Sequence, residues 1–121
     1  LLLVEDDPSQ LEECLRTLAL MGYDVVAASS AEEALTCVGV GRFDAILSDN
    51  ILPGMTGLRA IGEFRKLTDA PVLLMTSDAD ENAEKDALLL GASAFLRKPL
   101  DFDGLRRELS RAAGPDRLQN L

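Results

Sequence analysis

Two runs, Leu1-Leu2-Leu3-Val4 and Val72-Leu73-Leu74-Met75, are apolar throughout with no polar residue alternating between them. A strand with one face in water alternates, so unbroken apolar runs of strand length belong to strands covered on both faces, as in a parallel sheet. Such a sheet obliges the chain to return over it by helices, because parallel neighbours need crossover connections.

The chain between and beyond those runs supplies them. Glu5-Asp6-Asp7-Pro8 follows the first run, with Asp7 placed to cap a helix and Pro8 suited to its first turn. Leu11, Cys14, Leu15 and Leu18 recur at helical spacing, and Gly22 ends that helix. A second strand is expected over Asp24 to Ala28. A helix capped by Ser29-Ser30 then runs from Ala31 to about Val38, with Ala34, Leu35 and Val38 inward and Gly39 and Gly41 closing it. Phe43 to Ser48 reads as the third strand, and Leu58, Ile61, Phe64 and Leu67 mark a third helix after a Pro53/Gly57 loop. Beyond the Val72 run, a helix polar from Asp80 to Asp86 becomes apolar at Ala87-Leu88-Leu89-Leu90. Ala94-Phe95-Leu96 forms a fifth strand, and Asp101 caps a last helix with Phe102, Leu105 and Leu109 toward the core. Five strands alternating with five helices predict one α/β domain over residues 1–113: a doubly wound, flavodoxin-like parallel sheet with helices on both faces. Residues 114–121 are expected to be a tail or the start of a linker. The first apolar run opens on residue 1, and we expect chain upstream of it.

The 121 residues carry a formal net charge of −9, which disfavours a phosphate backbone as a direct partner. No apolar run approaches the roughly 20 residues of a membrane helix, so a cytoplasmic protein is expected. Cys14 and Cys37 fall in separate helices and are expected to be buried small apolar residues. Histidine is absent, leaving carboxylate, hydroxyl and ammonium chemistry.

That chemistry gathers at strand ends. Glu5 and Asp6 follow the first strand, Asp49 ends the third, Thr76 the fourth, and Lys98 follows the fifth. In a parallel sheet these ends share one edge, and in the order 2-1-3-4-5 the first and third strands flank the crevice where such folds bind ligands. Three carboxylates held close repel one another unless a cation relieves them. With oxygen donors alone, Mg²⁺ is the matching ion. A carboxylate nucleophile, Mg²⁺, a hydroxyl and a lysine make a phosphoryl-transfer site.

Four motifs in order carry a family resemblance: Val4-Glu5-Asp6-Asp7; Asp49 with Leu52-Pro53-Gly54-Met55-Thr56-Gly57; Met75-Thr76-Ser77; and Gly91-Ala92-Ser93-Ala94-Phe95-Leu96-Arg97-Lys98-Pro99. Over essentially its whole length the chain resembles the CheY-like receiver domain of two-component response regulators. The resemblance implies that Asp49 accepts a phosphoryl group from the phosphohistidine of a sensor histidine kinase or phosphotransfer protein. It implies that Glu5, Asp6, Asp49 and the main-chain carbonyl of Ile51 hold Mg²⁺, and that Thr76 and Lys98 contact the phosphoryl oxygens. Thr76 and Phe95 occupy the family's switch positions, and Phe95 has no hydroxyl to report its position to a partner. The resemblance also implies a cis Lys98–Pro99 peptide and an output face on the fourth helix, fifth strand and fifth helix. Arg97, Arg106, Arg107 and the acids from Asp80 to Asp86 suit either ion pairs across a homodimer there or a solvated face. Such a domain is a regulatory phosphoacceptor that catalyses only its own phosphorylation and dephosphorylation.

Ile51 and Asp78 stand where this family tunes phosphoryl lifetime. Apolar Ile51 cannot orient an attacking water whereas Asp78 can, and we expect a lifetime longer than minutes. A phosphatase with an aspartyl-phosphate intermediate needs a second acid where Ile51 stands, and a flavin-type binder needs a phosphate loop in place of Glu5-Asp6-Asp7. A receiver-like interaction module that works without phosphorylation, or the receiver part of a hybrid histidine kinase, is the alternative.

Overall fold

A computed structural model of the chain describes residues 1–77 and 81–113. Its central sheet contains β1 (Leu2–Val4), β2 (Val26–Ala28), β3 (Ile46–Asp49), β4 (Val72–Thr76) and β5 (Ala94–Arg97), all parallel, in the order β2-β1-β3-β4-β5. This is the predicted 2-1-3-4-5 arrangement. The helices are α1 (Pro8–Leu20), α2 (Ala31–Val40), α3 (Gly57–Leu67), α4 (Glu81–Leu89) and α5 (Phe102–Ala113).

Strand alternation divides the core into two layers. Leu2, Val4, Ile46, Val72 and Leu74 face one side, where Ala34 and Val38 of α2, Ala60, Ile61 and Phe64 of α3, and Ala87 of α4 cover them. Leu3, Leu47, Leu73 and Met75 face the other, under Leu18 of α1 and Leu105 and Leu109 of α5. Cys14 and Cys37 pack at the margins of opposite layers as free, half-buried thiols rather than fully buried ones. Burial pushes the Cys14 thiol up to about 11, so it stays protonated and serves as packing.

Several expectations need correction. β2 is only three residues long, and β3 runs to Asp49 itself. Gly39 lies inside α2, which continues to Val40. The Pro53 segment is not a plain loop: Ile51–Leu52 and Met55–Thr56 pair as a short antiparallel ribbon, turning at Gly54 with φ 74°. Leu67, in the last turn of α3, is 52% exposed. Phe102 shares the helical phase of Leu105 and Leu109 but, as the first residue of α5, is 51% exposed. There it lines a groove with Cys14, Met75, Leu100 and Lys98. Leu88, Leu89 and Leu90 are likewise exposed while Ala87 is buried. Consecutive residues advance about 100° around a helix, so an apolar run of this kind cannot all face inward.

Candidate functional site

Register brings the polar strand ends together. Val4 pairs with Ser48, so Glu5 and Asp49 are the next residues out on adjacent strands. Asp49 pairs with Met75 and Thr76 with Arg97, so Thr76 and Lys98 continue the same edge. The backbone carries that register past the strands, with Glu5 N–H donating to Ala28 O at 3.1 Å and Lys98 N–H to Thr76 O at 2.7 Å.

Glu5, Asp6 and Asp49 each present a carboxylate oxygen within 4.8 Å of the others. Asp6 is exposed, Asp49 half-buried and Glu5 only 2% exposed. Burial pushes the Glu5 carboxyl above the usual range and the charge of Asp49 adds to this, against the opposing hydrogen bonds from Lys98 and the Asp7 N–H. Lys98 crosses the site from the end of β5. Its Nζ donates to Gln10 Oε1 at 2.7 Å, to Glu5 Oε2 at 2.9 Å and to Asp49 Oδ2 at 3.3 Å. Burial disfavours that ammonium, but the hydrogen bond to Glu5 and the charges of Asp49 and Glu5 outweigh it and raise its pKa.

The flanking groups are held by local structure. Asp7 is the N-cap of α1, accepting from the N–H groups of Ser9 and Gln10, so its side chain is turned to the helix. The Lys98–Pro99 peptide is cis. Thr76 is buried at the end of β4, and Phe95 is half-buried against the layer formed by α2, α3 and α4. Ile51 is 60% exposed, and its N–H donates to Asp49 Oδ1 at 3.3 Å. Gly57 N–H donates to Asn50 O at 2.6 Å, and a Cβ at Gly57 would lie 2.7 Å from Asn50 Cα. Only glycine permits that approach, which folds the ribbon back beside Asp49. Asp78 lies outside the described residues.

Sequence reasoning missed Gln10. Its place in the first turn of the helix that follows Glu5 and Asp6 was the available signal; its contact with a lysine 88 residues away was not.

The donor set fits a hard divalent cation. Three carboxylates converge, and the buried one resists carrying its charge without further compensation. Among the described residues no helix is long and apolar enough to cross a membrane.

The family model described as the response regulator receiver domain matches residues 1–110. The transcriptional regulatory protein ZraR of Escherichia coli is 37% identical over 113 residues, an alignment covering 93% of this chain and 26% of ZraR. The chain thus spans about a quarter of that relative's length. A response regulator receiver domain protein from Clostridium thermocellum superposes with a TM-score of 0.88 at 26% identity, covering 98% of this chain and 96% of that one. The receiver domain of the Pseudomonas aeruginosa sensor histidine kinase PA1611, solved with magnesium coordinated in its active-site cleft, gives 0.84 at 31% identity over 93% and 95% of the two chains. Sequence, sheet order and the acidic edge agree, and the chain belongs to the response regulator receiver domains of two-component systems.

Proposed function

We propose that Asp49 is the phosphoacceptor. An Asp49 oxygen attacks the phosphorus of a phosphohistidine on a sensor kinase or phosphotransfer protein, the P–N bond breaks, and its electron pair returns to the imidazole. The product is an aspartyl phosphate. Glu5, Asp6, Asp49 and the main-chain carbonyl of Ile51 would hold Mg²⁺, which when bound supplies neutralisation of the phosphoryl charge. Lys98 gives the transferring oxygens a fixed cation, and the Thr76 hydroxyl donates to them from the end of β4. The observation that carries this reading is the meeting of three carboxylates and one lysine from β1, β3 and β5 at one sheet edge.

Incubation with acetyl phosphate, with and without Mg²⁺, followed by intact mass, tests it. One hydroxylamine-labile phosphoryl group that requires Mg²⁺ and vanishes in Asp49→Ala is expected. No uptake by the folded wild type overturns the reading in favour of a phosphorylation-independent interaction module.

Phosphorylation would shift the population toward a conformer in which Thr76 has moved toward the phosphoryl group and Phe95 has swung inward, altering the face of α4, β5 and α5. That face is proposed for output or homodimerisation; exposed Leu88, Leu89 and Leu90 support it, while Arg97 already pairs with Glu84 in the same chain at 3.8 Å. Exposed, apolar Ile51 supports a phosphoryl lifetime longer than minutes, and decay within seconds in Mg²⁺ buffer overturns it. Residues 1–113 are proposed as the domain and 114–121 as its link to an effector. The whole protein is proposed as a cytoplasmic transcriptional regulator with DNA contacts elsewhere, or as a hybrid kinase, which the likeness to the PA1611 receiver supports.

A further inference from the structure

We infer that Gln10 is a positioning residue for Lys98, a role that rests on the phosphoacceptor reading of Asp49. An ammonium has three N–H donors and no acceptor, and all three are engaged here. The bond to Gln10 Oε1 is the shortest at 2.7 Å, that to Glu5 Oε2 follows at 2.9 Å, and that to Asp49 Oδ2 is the longest at 3.3 Å. The two shorter bonds come from different elements, Glu5 at the end of β1 and Gln10 in the first turn of α1, and so fix Nζ from two sides.

Gln10 is itself held. Its backbone N–H donates to Asp7 Oδ1 at 3.2 Å, and its Nε2 lies 3.5 Å from Asp7 Oδ2. With Nε2 turned to the capping carboxylate, Oε1 is the atom left facing Lys98, the orientation a donor-only partner requires. The helix cap thereby orders the amide, and the amide orders the lysine.

The consequence concerns the phosphoryl group. When the acyl phosphate forms, the negative charge beside Asp49 moves outward onto phosphoryl oxygens. Glu5 and Gln10 keep their two protons, and the third, on the longest bond, is free to follow the charge. Without Gln10 both remaining acceptors are carboxylates of the acidic cluster, and one proton of Lys98 turns to water instead of staying aimed at the site. Preorganised donors of this kind lower the barrier because they need no reorientation as charge develops.

Gln10→Met removes the acceptor at nearly constant length on an exposed position, so the fold should be unchanged by circular dichroism and thermal melting. With acetyl phosphate and saturating Mg²⁺, its maximal rate of uptake by intact mass should fall about three- to tenfold, the effect of one lost hydrogen bond, with the half-saturating donor concentration unchanged. In a Lys98→Ala background, where Gln10 has no ammonium to hold, the same substitution should leave the residual rate unchanged within about twofold. Wild-type kinetics in Gln10→Met, a change confined to half-saturation, or an equal loss in the Lys98→Ala background overturns the role of Gln10 alone. Absence of uptake by the wild type overturns the phosphoacceptor reading, and this inference with it.

Discussion

The run Leu2-Leu3-Val4 and the Glu5 that follows it are both buried, and burial acts on them in opposite senses. Each residue of the first is 0% exposed, where burying an aliphatic side chain contributes about 1.5–3 kcal/mol. Glu5 is almost as deep, at 2% exposed, but its burial disfavours the charged carboxylate and only partly recovers through Lys98, 93 residues away. One strand thus passes from a region that stabilises the fold into one that strains it electrostatically. Reactivity and stability are separated along a single edge of the sheet, and substitutions on either side of that boundary should fail differently.

The largest effect is expected from Asp49→Ala, which should abolish phosphoryl uptake while leaving the melting temperature in EDTA equal or higher, since one of three crowded carboxylates is gone. A marked drop in stability would break the separation. Phe64→Ala should do the reverse. It empties a fully buried site in the layer under α3 and should cost about 3–5 kcal/mol in urea unfolding, with Mg²⁺-dependent uptake retained by the folded fraction.

Glu5→Gln sharpens the comparison through pH. The folded-state pKa of Glu5 lies above its ordinary value of 4.5, so between the two the native state binds more protons than the unfolded one. Stability without Mg²⁺ should therefore fall as pH rises from about 4.5 through the raised value, and the variant should flatten that fall. Lys98 acts in the same sense in a higher pH window. Its stabilisation is fully present below its ordinary 10.5 and is lost as pH rises through its raised folded value. A urea-midpoint profile against pH in EDTA measures both. The smallest effect belongs to Leu89→Ala: at 84% exposed it should shift stability by no more than about 0.5 kcal/mol. The same variant should weaken any phosphorylation-dependent dimer in sedimentation if the face of α4, β5 and α5 is the interface.

Much of this was legible in the chain. The unalternating runs at Leu1 and Val72 required strands covered on both faces, and helical spacing identified Leu18, Ala34, Val38, Ile61, Phe64, Leu105 and Leu109 as core. Asp7 before Pro8 announced the cap observed on α1. Legibility failed where position along an element outweighed phase. Phe102 and Leu67 are the terminal residues of their helices and are exposed, and Leu88, Leu89 and Leu90, at and just past the end of α4, are exposed instead of facing inward.

Composition and periodicity by themselves determined the parallel sheet, its helical cover and the identity of the polar strand ends, because these follow from local spacing against a common core. Only the tertiary structure decided what those ends do to one another. The spacing of Glu5, Asp6 and Asp49, the rise in Glu5's proton affinity, and the three-way hold of Gln10, Glu5 and Asp49 on Lys98 all arise between residues far apart in sequence. Interactions among charges depend on distance and exposure in space, and a linear pattern encodes neither.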